Sequence, residues 1–184
     1  MNSKLQIISG ALRGRKLALP DNARPTQNMA RAAVFNMLTG ILGADDKIVV
    51  WDAFAGSGAL GIEMLSRYPN ATAIFTDVSN ESIKVVRKNT EKIAANRVCI
   101  ITADAAQVIK KYGAHANLVF VDPPYENAKV GIDFVSKLVG IVQPGTVVVQ
   151  EIEKVAPYSP NMAKWEILRD KTYGRARFLI LRRI

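Results

Sequence analysis

A carboxylate, two prolines and an aromatic ring stand side by side at Asp122-Pro123-Pro124-Tyr125, directly after the apolar run Leu118-Val119-Phe120-Val121. Proline fixes φ and donates no backbone hydrogen bond, so two in a row end strand or helix and lead the chain rigidly away. The carboxylate, an unblocked carbonyl and the ring are thereby held at the carboxyl end of a strand. That set suits a planar amine. The Asp122 carboxylate and the Pro123 carbonyl each accept one N–H, while Tyr125 stacks on the ring that carries the amine. Two acceptors on one amino group localise its lone pair and present it to an electrophile. Taken alone, Pro-Pro reads as a turn with Asp122 capping the next helix. A second motif upstream shifts the balance.

That motif is Asp52-Ala53-Phe54-Ala55-Gly56-Ser57-Gly58-Ala59-Leu60-Gly61, which follows the apolar run Ile48-Val49-Val50-Trp51 and precedes a helical pattern over 59–67. Strand, Gly-x-Gly-x-x-Gly, helix is the context of nucleotide binding. The glycines permit a tight turn and close approach of a ligand, and the helix start offers free N–H groups. Asp77 ends the next apolar run, Thr72-Ala73-Ile74-Phe75-Thr76, and lies 19 positions after Gly58. A carboxylate there holds ribose hydroxyls. Asp52, Phe54, Gly56, Gly58 and Asp77 are therefore candidate cofactor-binding residues. NAD(P) and S-adenosylmethionine both fit this half of the chain. Asp52 beside the loop opposes a pyrophosphate but serves an ammonium group, and Asp122-Pro123-Pro124-Tyr125 supplies an amine site, so the pattern favours the methyl donor.

The elements that must position these residues alternate. Strands are expected near 47–52, 72–77, 97–102, 117–122 and 146–151, and helices near 59–67, 79–95, 104–112 and 127–142. Such alternation predicts an α/β fold, a doubly wound and mostly parallel sheet. Two further runs, Trp165-Glu166-Ile167-Leu168 and Arg177-Phe178-Leu179-Ile180-Leu181, flank Tyr173-Gly174 and predict an antiparallel carboxyl-terminal hairpin, making seven strands. Residues 4–20 read as a small amino-terminal β-hairpin, and Thr26 as the cap of a helix running to about Leu42. The expected organisation is one domain over 1–184, with 1–24 as a basic hairpin extension.

The 184 residues, 49% hydrophobic, suffice for a sizeable core. No apolar run is long enough to span a membrane, and the start lacks the apolar stretch of a signal peptide. Cytoplasmic location is the expectation. With Cys99 the only cysteine and His115 the only histidine, neither a zinc site nor a Cys-His nucleophilic pair is expected. Cys99 is expected inside a buried strand, and His115 on a surface turn. The net charge of +9 is uneven. Residues 1–31 hold six Lys/Arg and one acid, residues 32–153 eleven and thirteen, and residues 154–184 eight and two. A near-neutral middle between basic ends suggests a polyanionic partner gripped by the termini.

With Asp-x-Phe-Ala-Gly-Ser-Gly, Asp77, Asp104 and Asp-Pro-Pro-Tyr in order, the chain resembles class I S-adenosylmethionine-dependent amino-methyltransferases of Rossmann-like fold. It resembles most the RsmD type, the bacterial 16S rRNA guanine 2-amino methyltransferases. The likeness covers nearly the whole chain, including Ile8 to Leu17, Arg24-Pro25-Thr26, Phe35-Asn36-Met37-Leu38, Ser66-Arg67 and Tyr173-Gly174. It implies S-adenosylmethionine as cofactor, with Asp52, Gly56 and Gly58 around the methionine moiety, Asp77 on the ribose, and Asp104 with Ala105 at the adenine edge. It implies Asp122, Pro123, Pro124 and Tyr125 at the target base, and Arg13, Arg15, Lys16 and Arg24 on RNA. The implied partner is 16S ribosomal RNA or the assembled small ribosomal subunit, with no metal, no membrane and a monomeric enzyme. One departure stands out. That family carries a glutamate after the arginine of its first helix, where this chain reads Arg31-Ala32. The rival readings are an adenine amino-methyltransferase of DNA or RNA, a protein glutamine methyltransferase, and a non-enzymatic RNA-binding module.

Overall fold

The computed structural model describes residues 5–21, 28–43, 47–124 and 128–184. Five strands run parallel: β1 (Val49–Asp52), β2 (Thr72–Asp77), β3 (Val98–Thr102), β4 (Leu118–Val121) and β5 (Val147–Glu153). Two antiparallel strands, β6 (Trp165–Tyr173) and β7 (Ala176–Arg183), complete a sheet of order β3-β2-β1-β4-β5-β7-β6. The doubly wound seven-stranded sheet and its carboxyl-terminal hairpin are as the sequence predicts. Interleaved helices are α1 (Asn28–Thr39), α2 (Ala59–Arg67), α3 (Asn80–Thr90), α4 (Ile109–Gly113) and α5 (Ala128–Leu138).

Alternation along the strands divides the core into two layers. Val50, Leu118, Phe120, Val147, Val149, Phe178 and Ile180 face α1, α2 and α3. Trp51, Val119, Val121, Val148, Leu179 and Leu181 face α4 and α5. The central parallel strands β1, β4 and β5 are covered on both sides, so they read as unbroken apolar runs rather than alternating ones.

Two expectations are corrected. The helix expected over 104–112 is confined to Ile109–Gly113, because the Asp104 side chain accepts the Ala106 N–H at 2.8 Å. That local turn competes with the helical ladder. Cys99 is exposed rather than buried, since β3 is an edge strand that neighbours only β2. Residues 5–17 close as a hairpin, as expected, with Leu17 N–H donating to the Leu5 carbonyl and Ile7 N–H to the Arg15 carbonyl, each at 3.0 Å. His115 is exposed on the turn after α4, as expected.

The amino-terminal segment belongs to the first core layer. Leu5, Ile7 and Leu17 are buried there. Fully buried Glu63 of α2 accepts the N–H groups of Ile8 and Ser9 at 2.8 and 2.9 Å and binds Arg67 Nε at 2.8 Å. Ser66 Oγ accepts from Leu12 N at 2.9 Å and donates to the Ser9 carbonyl at 2.5 Å. Arg31, whose guanidinium donates to the Gln6 carbonyl, lies in the field of Glu63, and burial lowers its pKa. The carboxylate facing Arg31 thus comes from α2, not from the neighbouring helix position that Ala32 fills.

Gly10 makes this docking possible. Its φ is +83°, and an added Cβ would stand 2.0 Å from the Ser66 carbonyl oxygen. Gly10→Ala is expected to cost about 2–4 kcal/mol of unfolding free energy in urea, from backbone strain plus a clash with main chain. A variant as stable as the wild type would show that the segment is not docked in solution.

Candidate active site

The glycine-rich loop is shaped from outside itself. Gly56 and Gly58 take φ values of 52° and 76°, the left-handed region that favours glycine. A Cβ at Gly56 would meet nothing within 4 Å, so this part of the loop faces open space. At Gly61 a Cβ would lie 2.3 Å from Phe75 Cε1, so the third glycine brings α2 against β2. Asp77, at the carboxyl end of β2, accepts Gly56 N–H at 2.9 Å through one oxygen and Ser79 N–H at 2.8 Å through the other. Asn89 of α3 donates to the Ser57 carbonyl at 2.9 Å. The same amide pairs with Ala18 of the amino-terminal segment, accepting its N–H at 2.8 Å and donating to its carbonyl at 3.0 Å.

Asp52 lies beneath the loop rather than on its rim. It is 1% exposed and accepts the Gly61 N–H at 3.0 Å. Burial pushes its carboxyl up to about 7, the Gly61 hydrogen bond opposes this, and the charge of Asp77 adds to it. Phe54 packs edge-on against Phe134, with ring centroids 5.4 Å apart. Asp104 is exposed after β3, and Ala105 beside it is buried.

The second half of the site begins where β4 ends. Asp122 is half-buried, Pro123 buried and Pro124 exposed. Pro123 packs on α5 at Gly131, where a Cβ would come within 2.8 Å of its Cγ. That contact fixes the direction in which the chain leaves the sheet. Tyr125 and Arg24 lie outside the described residues.

Of the basic residues singled out, Arg13 and Lys16 are exposed, whereas Arg15 is half-buried and its Nη1 meets no hydrogen-bond partner among the described residues. The carboxyl-terminal arginines are differently engaged. Arg177 binds Asp170 through two nitrogens at 2.9 and 2.8 Å, Arg175 binds Glu153 at 2.8 Å, and Arg182 binds Glu166 at 3.4 Å. Arg183 Nε donates to the Val139 carbonyl at 2.9 Å. Three of these arginines thus meet an acid, a commitment that residue counts do not reveal.

Sequence reasoning passed over three residues here. Val78, next to Asp77, is 71% exposed, an apolar platform at the mouth of the site. Its signal was an apolar residue following a strand-ending acid. Asn89 carried no signal, because its partners lie 71 and 32 positions away. Glu151, 7% exposed on β5, carried only the faint signal of an acid ending an apolar run.

Open glycine backbone, strand-end acids on β1 and β2, and an exposed valine fit a nucleoside carrying positive charge. Buried Asp52 opposes a pyrophosphate.

A carboxyl with a raised pKa stabilises the fold while protonated, and that contribution fades as pH climbs from the unfolded value of 3.8 to about 7. Asparagine mimics the protonated form. The stability of Asp52→Asn relative to wild type, without cofactor, is therefore expected to grow by about 2–4 kcal/mol between pH 4.5 and 8. Parallel pH profiles from denaturant unfolding would contradict this account of Asp52.

The family model described as Conserved hypothetical protein 95 matches residues 5–182. A protein of Escherichia coli (strain K12) named Ribosomal RNA small subunit methyltransferase D is 31% identical over 187 residues, covering 99% of this chain and 91% of its own. A protein of the same name from Buchnera aphidicola subsp. Acyrthosiphon pisum is 35% identical over 132 residues, covering 70% and 67%. The solved structure of a methyltransferase candidate, yhhF, from Escherichia coli superposes with a TM-score of 0.81 at 32% identity and covers 97% of each chain. The chain belongs to the family described as Conserved hypothetical protein 95 and is a methyltransferase.

Proposed function

We propose that the protein transfers a methyl group from S-adenosylmethionine to the exocyclic 2-amino group of a guanine in small-subunit ribosomal RNA. The observation that carries this reading is the adjacency of the two motifs. β1 and β4 pair in parallel with Asp52 beside Phe120, and Ala53 N–H binds the Phe120 carbonyl at 3.1 Å. The glycine-rich loop and the Asp122-Pro123 strand end therefore leave the sheet from neighbouring strands. The names of the full-length relatives support the substrate class.

When bound, S-adenosylmethionine supplies an electrophilic methyl group on a sulfonium. The protein's share is placement, which contributes heavily when reactants are held in line. Asp77 takes ribose hydroxyls, Val78 covers the adenine face, and Asp104 with Ala105 meets the adenine edge. Asp52, Gly56 and Gly58 border the methionine portion. The target base swings out of its stack to reach such a pocket. Asp122 Oδ and the Pro123 carbonyl each accept an N–H of its amine, with Tyr125 stacked on the ring. The amine becomes acidic only once methylated, so its proton passes to Asp122 late. Arg13, Arg15, Lys16 and Arg24 hold phosphates, which position RNA without reading it.

Methyl transfer from labelled cofactor to small ribosomal subunits of a strain lacking this protein tests the reading, with N2-methylguanosine as the expected product. Another nucleoside, or none, refutes it. Asp122→Ala is expected to abolish transfer while leaving cofactor affinity within about tenfold. Near-wild-type turnover in that variant would remove Asp122 from the reaction. Replacing Arg13, Arg15 and Lys16 together by alanine is expected to leave cofactor affinity unchanged. RNA binding should weaken, with a salt dependence shallower by about two units. An unaltered slope would rule out these residues as the RNA grip.

A further inference from the structure

We propose that Glu151 reads the identity of the target base: its carboxylate accepts the N1–H of the guanine whose 2-amino group lies at Asp122. This assignment rests on the proposed function and names the group within the site that selects the substrate.

The argument starts from strand register. β4 and β5 pair in parallel through Leu118 with Val147, Val119 with Val148, Phe120 with Val149 and Val121 with Gln150. The next pair is Asp122 with Glu151. Asp122 stands one residue beyond the ladder, but Pro123 follows it, and a residue before proline is held in the extended region. Strand alternation therefore continues through Asp122. Phe120 and Val149 share the core layer facing α1 to α3, whereas Val121 and neighbouring β5 residues Val148 and Ile152 face the other. Asp122 and Glu151 accordingly project from neighbouring strands on the same face, about 5 Å apart at the backbone. Gln150 points to the opposite face and is no rival for the role.

The surroundings of Glu151 suit a flat base. It is 7% exposed on β5. Its partner in the antiparallel ladder is Phe178, and Tyr173 packs on Phe178 with centroids 6.2 Å apart. An aromatic wall thus stands beside the acid.

The chemistry then selects. The Watson–Crick edge of guanine presents donors at N1 and at the 2-amino group, side by side. If Asp122 and the Pro123 carbonyl take the amine, the adjacent carboxylate takes N1–H. Adenine and 2-aminopurine carry a lone pair at N1, which a carboxylate repels. A site built to accept a substrate hydrogen bond rejects the analogue lacking it, because its buried polar group is left unpaired.

2-Aminopurine isolates this contact, since it keeps the methyl-accepting amine and changes N1. The experiment uses small subunits reconstituted with 16S RNA bearing guanine or 2-aminopurine at the position that the wild-type protein methylates. The wild type is expected to prefer guanine by at least about a hundredfold in kcat/KM. Glu151→Gln can offer an amide N–H to a bare N1, so its preference should fall to within about tenfold, mainly by loss on guanine. Its affinity for S-adenosylmethionine by calorimetry should be unchanged. Glu151→Asp, which keeps the carboxylate, should turn over more slowly yet retain the preference. Equal wild-type activity on both bases overturns the assignment, as does a Glu151→Gln variant that slows both bases alike. If Glu151→Gln does not fold, the wild-type ratio and Glu151→Asp still decide. If the wild type produces no N2-methylguanosine at all, the proposed function falls and this assignment with it.

Discussion

Parallel pairing of β1, β4 and β5 is the constraint on which the site depends. Because these strands run in the same direction, their carboxyl ends meet at one edge of the sheet, and their registers decide which side chains share a face. Asp52 stands beside Phe120, and Val121 beside Gln150. A slip of one residue in either ladder would turn an acid into the opposite core layer. Burial pushes the carboxyl of Asp52 up to about 7, and the charge of Asp77 adds a smaller push in the same direction.

A loop with two left-handed glycines has little conformational preference of its own, so neighbours must define it. Asp77 holds Gly56 and starts α3 by binding Ser79 N–H. Thr76 Oγ1 donates to the Ala53 carbonyl at 3.0 Å and accepts from the Trp51 indole at 2.9 Å, so a buried tryptophan orients the loop's first residues. Asn89 ties Ser57 to Ala18. The amino-terminal segment that carries Arg13 and Lys16 is thereby joined through one side chain to the cofactor loop. Both halves of the proposed reaction rest on one hydrogen-bonded frame.

Charge illustrates how far composition reaches. Both ends of the chain are basic by count, and the carboxyl-terminal end holds the larger surplus. In the fold, Arg177, Arg175 and Arg182 each meet an acid, while Arg13 and Lys16 extend from the amino-terminal hairpin into solvent. Arg177 and Arg182 pair across β6 and β7 and Arg175 reaches β5, and no residue count distinguishes a committed cation from an available one.

Local pattern alone was enough for the alternation of strands and helices, the strand–glycine–helix turn, the abrupt exit at Pro123 and the terminal hairpin. Each of these is dictated by residues within a few positions of one another, through proline geometry, glycine freedom and side-chain periodicity. Distance along the chain hid the rest. That Asp52 is buried beneath the loop, that Cys99 lies on an open edge, that Glu63 and Asn89 clasp the amino-terminal segment, and that Val121 pairs with Gln150 all follow from contacts between residues far apart in sequence. The chemical types of the site were legible because chemistry belongs to single residues. Their partners and protonation were decided only by the tertiary structure, because burial and register are properties of neighbours that a linear sequence does not place.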